Sequence, residues 1–357
     1  MGSARGATHP RCLGAMSGAA NLPARARGSA AAALPWLVAD VGGTHARFGW
    51  VEDPARGVEQ VRQFPVAATA GLAEALRRYL SDLPAAARPR RAAIAVATAV
   101  RGDRVELTNS AWAFSVAELQ SALGLDSLQV LNDFEALALS LPRLSPAQWR
   151  AHGAPPMAAG TLAVIGPGTG LGVGAVTRTE AGWIGLPGEG GHATLAPADD
   201  VESEILRHAR GRHAHVSAER LLSGIGLPLL HEAVALAEGR APQTLTAKQL
   251  VEAALAGDAG CGRTLDHFCA LLGGFAGDVA LTLGAHAVFI GGGIVPRLGD
   301  RFFASRFRQR FEAKGRFQPY LAAIPTALIT DTLAALGGAA FAIEQRWCPT
   351  RQPVQPA

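Results

Sequence analysis

The sequence is poor in cysteine and lysine and has no apolar run long enough to span a membrane. None of its four cysteines forms a Cys-x-x-Cys pair, which favours buried small residues over metal ligands and fits a reducing cytosol. The most apolar stretch, 270–290, is interrupted by Asp278, His286 and several glycines, so it predicts a core helix followed by a core strand. We therefore expect a cytoplasmic protein.

Net charge is also lacking once residues 1–39 are set aside. That segment contains four arginines and no acidic residue, and without it the basic residues equal the 29 acidic ones. A neutral body offers no electrostatic basis for binding nucleic acid or a membrane surface. Residues 1–34 are rich in Ala, Arg, Ser and Gly, as in an organellar transit peptide, but we interpret them as a disordered extension.

Strand-like and helix-like patterns alternate along the chain, which indicates an α/β fold. A proline-rich segment at 141–156 is the best candidate for a domain boundary, and strand, glycine-rich turn and strand follow one another on each side of it. We expect a small α/β domain at 35–143, completed by a C-terminal helix at 333–346, and a large α/β domain at 144–332.

Apolar periodicity and capping residues locate the main elements. The expected strands are 36–39, 46–51, 91–100, 129–131, 162–165, 173–178 and 287–290. The expected helices are 71–80, 115–123, 134–140, 201–210, 218–222, 247–256, 263–283 and 333–344. Ligands of α/β folds bind beyond the carboxyl ends of strands, so functional residues are expected there.

Three of these strands lead into glycine-rich turns. The turns are Asp40-Val41-Gly42-Gly43-Thr44, Gly166-Pro167-Gly168-Thr169-Gly170-Leu171-Gly172 and Gly291-Gly292-Gly293. Glycine lets backbone N–H groups approach phosphate oxygens, and a threonine hydroxyl in two of the turns adds a donor. No G-x-x-x-x-G-K-[ST] is present and the spacing is not that of a dinucleotide fold, which excludes a P-loop and argues against a nicotinamide oxidoreductase. Ordinary hairpin turns are the alternative.

Two of the strand ends carry carboxylates. Asp40 directly precedes the first glycine turn, where it could orient Mg²⁺ through water, since Mg²⁺ takes few carboxylates and several waters. Asn132 and Asp133 end another strand where a helix begins. Asp133 is either a helix N-cap or a general base that accepts a hydroxyl proton, with Asn132 holding a neighbouring hydroxyl.

Two further segments carry groups that suit sugar hydroxyls. The segment 188–192 contains Glu189 and His192 between glycines, and we expect it to be a mobile, exposed loop. Two such ligands do not make a zinc site, and a plain surface loop is the alternative. Glu219 lies in the first turn of a helix that is expected to begin after Ser217, where stabilising the helix dipole would be a sufficient role.

Eight segments, in order between Leu37 and Phe341, resemble the bacterial glucokinase family, the type distinct from the repressor-related sugar kinases. They are Ala39–Thr44 with Arg47, Asn109 with Trp112–Phe114, Leu131–Phe134, Gly168–Gly172, Leu186–His192, Val216–Gly224, Gly291–Pro296 and Lys314–Phe317. The zinc-binding cysteine cluster of the repressor-related kinases is missing. His45 stands where the family usually has Asn, which puts the ATP affinity in some doubt.

The resemblance implies a two-domain actin-like ATPase fold of ribonuclease-H-like topology, with an interdomain cleft, and a homodimer as the working form. It implies ATP and Mg²⁺ as cofactors and Asp133 as the catalytic base for the 6-hydroxyl of glucose. The implied substrate-binding residues are Asn109, Asn132, Asp133, Glu189, His192 and Glu219. The implied ATP-binding residues are Asp40, which would also hold Mg²⁺ through water, Gly42, Gly43, Thr44, Gly168, Thr169, Gly170, Gly291, Gly292 and Gly293.

Two alternatives to a glucokinase remain open. One is an ATP-dependent kinase of another hexose, because the sequence does not say whether mannose or fructose also fits the site. The other is a non-catalytic sugar-binding regulator on the same scaffold. Such regulators commonly carry a DNA-binding helix-turn-helix, which residues 1–34 cannot supply, and an intact Asp133 also argues against this alternative.

Overall fold

The computed structural model describes residues 34–83, 88–108 and 110–347. Asn109, one of the implied sugar ligands, lies outside these residues, and so does nearly all of the expected extension at 1–34. No helix in the described ranges combines the length and the apolar character needed to cross a membrane.

Strands and helices alternate along the described chain, as expected of an α/β protein. The strands are β1 (Trp36–Val41), β2 (His45–Val51), β3 (Glu59–Pro65), β4 (Arg91–Val96), β5 (Arg104–Glu106), β6 (Ala113–Ser115), β7 (Ser127–Asn132), β8 (Trp149–His152), β9 (Thr161–Pro167), β10 (Leu171–Thr179), β11 (Gly182–Leu186), β12 (Ala285–Ile290) and β13 (Thr326–Ile329). The α-helices are α1 (Leu72–Ser81), α2 (Val116–Ala122), α3 (Asp133–Ser140), α4 (Asp200–Arg210), α5 (Leu227–Ala237), α6 (Ala247–Leu255), α7 (Ala259–Leu283), α8 (Val295–Leu298), α9 (Asp300–Ala304), α10 (Phe307–Glu312), α11 (Gln318–Ala322) and α12 (Ala334–Trp347).

The two large sheets of the described chain share one topology. Their strand orders are β3-β2-β1-β4-β7 and β11-β10-β9-β12-β13-β8. In each sheet three strands joined in sequence run antiparallel, and the next two strands run parallel to the first of them. The predicted duplication of strand, glycine turn and strand is confirmed, while β8 adds an antiparallel edge to the second sheet.

The first strand of each sheet is buried on both faces, which explains why its sequence is largely apolar. In β1, Leu37 and Ala39 belong to the core formed with α1, whereas Trp36 and Val38 pack against residues of α12. Strand β9 divides its side chains in the same way between a core with α7 and a core with α3 and α12. Both sheets are therefore central layers covered by helices.

Helices α3 and α12 connect the two sheets. They pack against each other, while α3 also packs on β10 and β11 of the second sheet and α12 on β1 and β4 of the first. Their contact is close enough that a side chain at Gly338 would overlap with the carbonyl group of Ala136. Because α3 begins at Asp133, this contact helps to set the position of that carboxylate.

Some element boundaries differ from the expectations. The expected helix 218–222 is only a 3-10 turn, Ala218–Arg220, and the expected strand 91–100 ends at Val96. The segment 141–156 is not a plain loop, since β8 lies within it and pairs with β13. Strand β3 was not expected because its sequence, EQVRQFP, is largely polar and belongs to an exposed sheet edge.

Candidate active site

Polar residues gather where the parallel strands of the first sheet end. In the register of this sheet Asp40 of β1 lies beside Ala95 of β4, and Val96 of β4 lies beside Asn132 of β7. The side-chain amide of Asn132 donates to the carbonyl oxygen of Thr98, just beyond β4, at 3.2 Å. The sheet thus brings the first glycine turn and the start of α3 to one edge, as the strand-end rule predicts.

Asn132, not Asp133, is the N-cap of α3. Its Oδ1 accepts hydrogen bonds from the backbone N–H groups of Phe134 at 2.9 Å and Glu135 at 3.3 Å. Asp133 is the first residue of the helix, and its Oδ1 lies 3.0 Å from the same Phe134 nitrogen. The alternative in which Asp133 serves as the cap is therefore wrong, since its neighbour fills that role.

The surroundings of Asp133 disfavour its charged form. Burial raises the pKa of its carboxyl to about 7, and the negative charges of Asp40 and Glu189 act in the same direction. Backbone hydrogen bonds at Phe134 and Asp133 oppose this shift without cancelling it. A carboxyl with a pKa near neutral pH is well matched to the work of a general base.

Asp40 lies within an ion pair between neighbouring strands. It is opposite Arg47 in the β1–β2 ladder, and Arg47 Nη1 lies 3.3 Å from Asp40 Oδ2. Burial raises the pKa of Asp40, while the guanidinium group of Arg47 lowers it. Burial is the larger effect, so the pKa of Asp40 is raised overall and Arg47 offsets only part of the shift.

The ligands available at these strand ends suit Mg²⁺, which keeps several waters, better than a metal ion that takes all its ligands from protein side chains. Within the described ranges no cluster of three or more His, Cys, Asp or Glu side chains could hold an ion. Asp40 offers one carboxylate next to a turn of glycines, and Mg²⁺ commonly keeps several waters and takes its other ligands from phosphate oxygens. Asp40 is accordingly the residue that would hold Mg²⁺ through water.

Three of the expected sugar ligands lie together. His192 Nε2 is 4.0 Å from Glu189 Oε2, and His192 Nδ1 is 3.9 Å from Glu219 Oε1. Glu189 and His192 are more than half exposed, whereas the Glu219 side chain is only 19% exposed. The negative charge of Glu189 also raises the pKa of Asp133, so this cluster lies within electrostatic range of the carboxyl group at the start of α3.

The segment that carries Glu189 and His192 is exposed at Gly188, Glu189 and His192, as the sequence suggested, but it is not a loop throughout. It forms a 3-10 turn, Gly190–His192, and Gly191 is buried. A Cβ at Gly191 would overlap with the carbonyl of Leu171, so this glycine lies directly against β10. The glycines thus hold the backbone of this turn against the sheet, while the two polar side chains stay exposed.

Glu219 belongs to a 3-10 turn and is bonded to the second glycine turn. Its Oε2 accepts a hydrogen bond from the backbone N–H of Leu171 at 2.9 Å. A Cβ at Gly170 would overlap with the same carboxylate oxygen, so a side chain there would displace the Glu219 carboxylate. The carboxylate thus has a specific partner, and stabilisation of a helix dipole is no longer needed to explain it.

The second and third glycine turns lie against each other. Gly291 N donates to the carbonyl of Ile165 at 2.8 Å, and Ile294 N donates to the carbonyl of Pro167 at 3.1 Å. Gly292 has a φ of +75°, and a Cβ there would overlap with the Pro167 carbonyl. The N–H of Gly168 already donates to the carbonyl of Gly170 at 2.8 Å, which leaves the backbone amides of the exposed residues Thr169, Gly292 and Gly293. These amides can approach one anionic ligand together.

Other glycines of the second turn make room for an aromatic ring. A Cβ at Gly166 or Gly172 would overlap with the ring of Phe134, and one at Gly174 would overlap with the Phe134 carbonyl. These three glycines therefore seat α3 on β9 and β10. The sequence analysis assigned the glycine-rich run to phosphate binding alone. It missed this role because no local sequence pattern indicates that Phe134 packs against these glycines.

Thr98 is a residue that the motif search missed. Its carbonyl holds the Asn132 amide, and its hydroxyl lies 3.1 Å from that of Thr108. The strand-end rule could have found it, because it follows β4 at the same edge as Asp40. Thr98 orients the cap of α3 rather than presenting an obvious ligand.

Comparisons with known proteins identify the family of the chain. The sequence profile described as Glucokinase matches residues 37–346. A glucokinase from Aromatoleum aromaticum is 48% identical over 313 residues, which cover 87% of this chain and 95% of the relative. A bifunctional protein glk from Burkholderia thailandensis is 46% identical over 316 residues, and this chain spans about half, 49%, of its length.

A solved structure extends the similarity to three dimensions. The crystal structure of a glucokinase from an Antarctic psychrotroph is 39% identical, with a TM-score of 0.80, and the match covers 87% of this chain and 98% of that one. The expected actin-like ATPase fold is thereby confirmed. The chain belongs to the glucokinase family and is a sugar kinase that transfers a phosphoryl group to glucose.

Proposed function

We propose that this protein transfers the γ-phosphoryl group of ATP to the 6-hydroxyl of D-glucose in the cytoplasm, which forms glucose 6-phosphate for glycolysis. The observation that carries the proposal is the carboxyl of Asp133, whose pKa is raised to about 7 at the start of α3. It lies within the electrostatic reach of Asp40, beside the first glycine turn, and of Glu189, in the cluster of expected sugar ligands.

The sugar would be held by side chains that accept from or donate to its hydroxyls. The carboxylates of Glu189 and Glu219 are acceptors, and His192 between them can donate or accept. Asn132 can contribute its amide, while Asn109, outside the described residues, is included because of the family resemblance. A site built from such groups rejects analogues that lack the hydroxyls it binds.

The nucleotide would be held mainly by backbone N–H groups. The proposed phosphate ligands are the turns that contain Gly42, Gly43 and Thr44 and Gly168, Thr169 and Gly170, with Gly291, Gly292 and Gly293 beside the nucleoside. Thr44 and Thr169 are exposed, so their hydroxyls are accessible to phosphate oxygens. Mg²⁺, held through water at Asp40, would neutralise phosphate charge that develops during transfer.

Phosphoryl transfer depends on positioning and on charge neutralisation more than on covalent chemistry by the protein. In this proposal Asp133 accepts the proton of the 6-hydroxyl as the hydroxyl oxygen attacks the γ-phosphorus in line. The bond between the γ-phosphorus and the β–γ bridging oxygen breaks, and ADP leaves. Glu189, Glu219 and Asn132 orient the sugar so that this oxygen faces the nucleotide. Closure of a small domain, 35–143 with helix 333–346, onto a large domain, 144–332, would exclude water as a competing acceptor.

The experiment that tests the proposed function is a sugar panel. Purified protein is incubated with ATP, Mg²⁺ and D-glucose, D-mannose, D-fructose or D-galactose, with ADP release measured by a coupled assay and the product identified by ³¹P NMR. D-glucose is expected to give the highest kcat/KM and a 6-phosphate. A higher kcat/KM for another hexose would favour the first alternative, and no turnover with any sugar would favour the regulator.

We also propose that the working form is a homodimer, as the family resemblance implies. Native mass spectrometry at micromolar concentration is expected to give twice the chain mass. A single-chain mass across the concentration range of the activity assay would contradict this part of the proposal without affecting the assignment of the reaction.

A further inference from the structure

The second glycine turn is hydrogen-bonded to the segment that carries Glu219. Gly224 N donates to the carbonyl of Gly168 at 2.8 Å, and Ile225 N donates to that of Thr169 at 3.3 Å. In the opposite direction, Leu171 N donates to Oε2 of Glu219 at 2.9 Å. The segment 219–226 is therefore hydrogen-bonded to Gly168 and Thr169 of the turn and, through the Glu219 side chain, to Leu171.

Ser223 holds this segment in shape. It is fully buried, its hydroxyl donates to the Glu219 carbonyl at 2.6 Å, and the same oxygen accepts from Gly226 N at 3.0 Å. The two amides that bind the glycine turn follow it immediately in the chain. One side chain thus ties the backbone of Glu219 to the backbone that contacts the turn.

The packing between the segment and the turn leaves little room for independent movement. A Cβ at Gly170 would overlap with Oε2 of Glu219, and a Cβ at Gly224 would lie only 3.0 Å from the Gly168 carbonyl oxygen. Gly226 similarly lies directly against the Arg220 carbonyl. A displacement of the Glu219 carboxylate therefore reaches the turn through its hydrogen bond to Leu171 N, and a displacement of the segment's backbone reaches it through the close contact of Gly224 with Gly168.

Glu219 can act on both substrates because its two carboxylate oxygens have different surroundings. Oε2 is bonded to Leu171 N of the turn, whereas Oε1 lies 3.9 Å from His192, toward the expected sugar ligands. A sugar hydroxyl bound to Oε1 would restrict the rotation of the carboxylate and so strengthen its hold on the turn. A ligand on the turn would restrict the same group from the other side.

We propose that segment 219–226 couples the two substrate sites, so that bound glucose raises the affinity for ATP and bound ATP raises the affinity for glucose by the same factor. Ser223 is the positioning residue of this coupling. The inference rests on the proposed function, but it adds a route that does not require domain closure, since both ends of the link belong to loops of the second sheet.

The coupling can be measured by calorimetric titration of a non-hydrolysable ATP analogue with and without saturating D-glucose. In the wild type, glucose is expected to lower the Kd of the analogue by about fivefold or more, within the usual range of coupling between sites. Ser223→Ala removes both hydroxyl bonds, and we expect the factor to fall below about twofold, since the sites then respond separately.

Ser305→Ala is the matched control. Its hydroxyl donates to the Phe302 carbonyl at 2.6 Å and accepts from Phe307 N at 3.2 Å, the same kind of pairing at a place remote from the site. This variant is expected to retain the wild-type coupling factor. If Ser223→Ala does not fold, Gly224→Ala provides the test, because its new Cβ would push on the Gly168 carbonyl and is likewise expected to abolish the coupling.

Two results would overturn the inference: an analogue Kd that is independent of glucose in the wild type, or a folded Ser223→Ala protein with undiminished coupling. Either result would leave the proposed function standing as long as the wild type phosphorylates glucose in the sugar panel. Failure of the sugar panel would instead remove the proposed function itself, so the two failures are distinguishable.

Discussion

At the scale of the residue, Asp133 lies where ionisation is opposed by burial and by the carboxylates of Asp40 and Glu189. A base must be ionised to accept a proton, so the same surroundings that make it basic also limit the fraction that is active at acidic pH. The same surroundings also lower the free energy of unfolding when the carboxyl group of Asp133 is charged. Both consequences can be measured separately from the assignment of the reaction.

The pH dependence of turnover should report the carboxyl of Asp133. With its pKa raised to about 7, kcat/KM is expected to be nearly flat above pH 8 and to fall about tenfold per pH unit below pH 6, because only the ionised form accepts the proton. Steady-state rates between pH 5 and 9 check this. An acid limb centred near pH 4 would mean that the titrating group is an ordinary exposed carboxyl.

The stability of the protein should show the opposite pH trend at this position. The folded-state pKa lies above the unfolded value of 3.8, so the contribution of this group is full below that value and is lost as pH rises to about 7 and beyond. Asp133→Asn avoids the charge, and we expect it to stabilise the protein by about 1–3 kcal/mol at pH 8.5 and by less at pH 5.5.

Thermal unfolding of both proteins at the two pH values measures this difference. The Asn side chain retains the oxygen that faces Phe134 N, so the comparison mainly concerns charge. An Asp133→Asn protein that unfolds at a lower temperature than the wild type at pH 8.5 would show that the ionised carboxylate is stabilised by its surroundings, contrary to the raised pKa.

At the scale of the element, α3 is held between β9–β10 and α12 by residues without side chains. Gly166, Gly172 and Gly174 receive Phe134, and Gly338 allows α12 to approach Ala136. Asp133 is the first residue of α3. The packing of α3 against α12 therefore influences the position of the Asp133 carboxyl group in the site. A change at this helix contact should therefore affect both stability and turnover.

Gly338→Ala tests the α3–α12 contact. Its Cβ would overlap with the Ala136 carbonyl, so the helices must separate, and we expect a loss of about 1–3 kcal/mol in unfolding free energy together with lower kcat. Gly337→Ala is the matched control in the same helix, because its Cβ meets nothing within 4 Å. The control is expected to gain about 0.5–1 kcal/mol from improved helix propensity.

Urea titrations of both variants, with kcat measured beside them, check this prediction. Equal stabilities for the two alanine variants would contradict the account of the contact, since the two substitutions differ only in what the added methyl group meets.

The elements show what the sequence could and could not predict. The hairpin β1–β2 and the start of α3 were predictable because apolar strands, a glycine turn and a capping residue are local signals. Strands β3 and β11 and helix α5 were not, since the strands are edge strands with partly exposed side chains and α5 is apolar on most of its surface. A side chain at position 338 would overlap with Ala136, which lies some 200 positions away in the sequence. No local pattern could therefore predict that a glycine is required there.

The residues of the site can likewise be divided into those that local sequence signals predicted and those that depend on distant contacts. Asp40, Asn132 and Asp133 were found because they follow strands, and their grouping is a consequence of parallel pairing. The 3-10 turns that carry His192 and Glu219 were expected as a loose loop and a helix, because the contacts that shape them come from β10 and from the second glycine turn. Asn109 lies outside the described residues and stays a prediction.

At the scale of the whole molecule, two sheets of like topology present their strand ends and glycine turns to the candidate site. The first sheet contributes Asp40 and Asp133, and the loops of the second contribute Glu189, His192 and Glu219. Helices α3 and α12 connect the sheets. Substrate binding between two such halves is expected to draw them together about this connection.

Small-angle X-ray scattering tests this closure. The radius of gyration is expected to decrease when D-glucose is added at saturation, because the proposed sugar ligands come from both sheets. L-glucose serves as the control and is expected to leave the scattering unchanged. An unchanged radius of gyration at a D-glucose concentration shown by calorimetry to fill the site would contradict a closing two-domain arrangement.

The central claim is that Asp133 takes the proton of the sugar hydroxyl, and its most direct test is the turnover of Asp133→Asn at saturating glucose and ATP, with the glucose Kd measured in parallel. The account predicts a kcat lowered about 10²–10⁴-fold and a glucose Kd changed by no more than a few-fold. A variant that keeps wild-type turnover, with the substitution verified by mass, would contradict it.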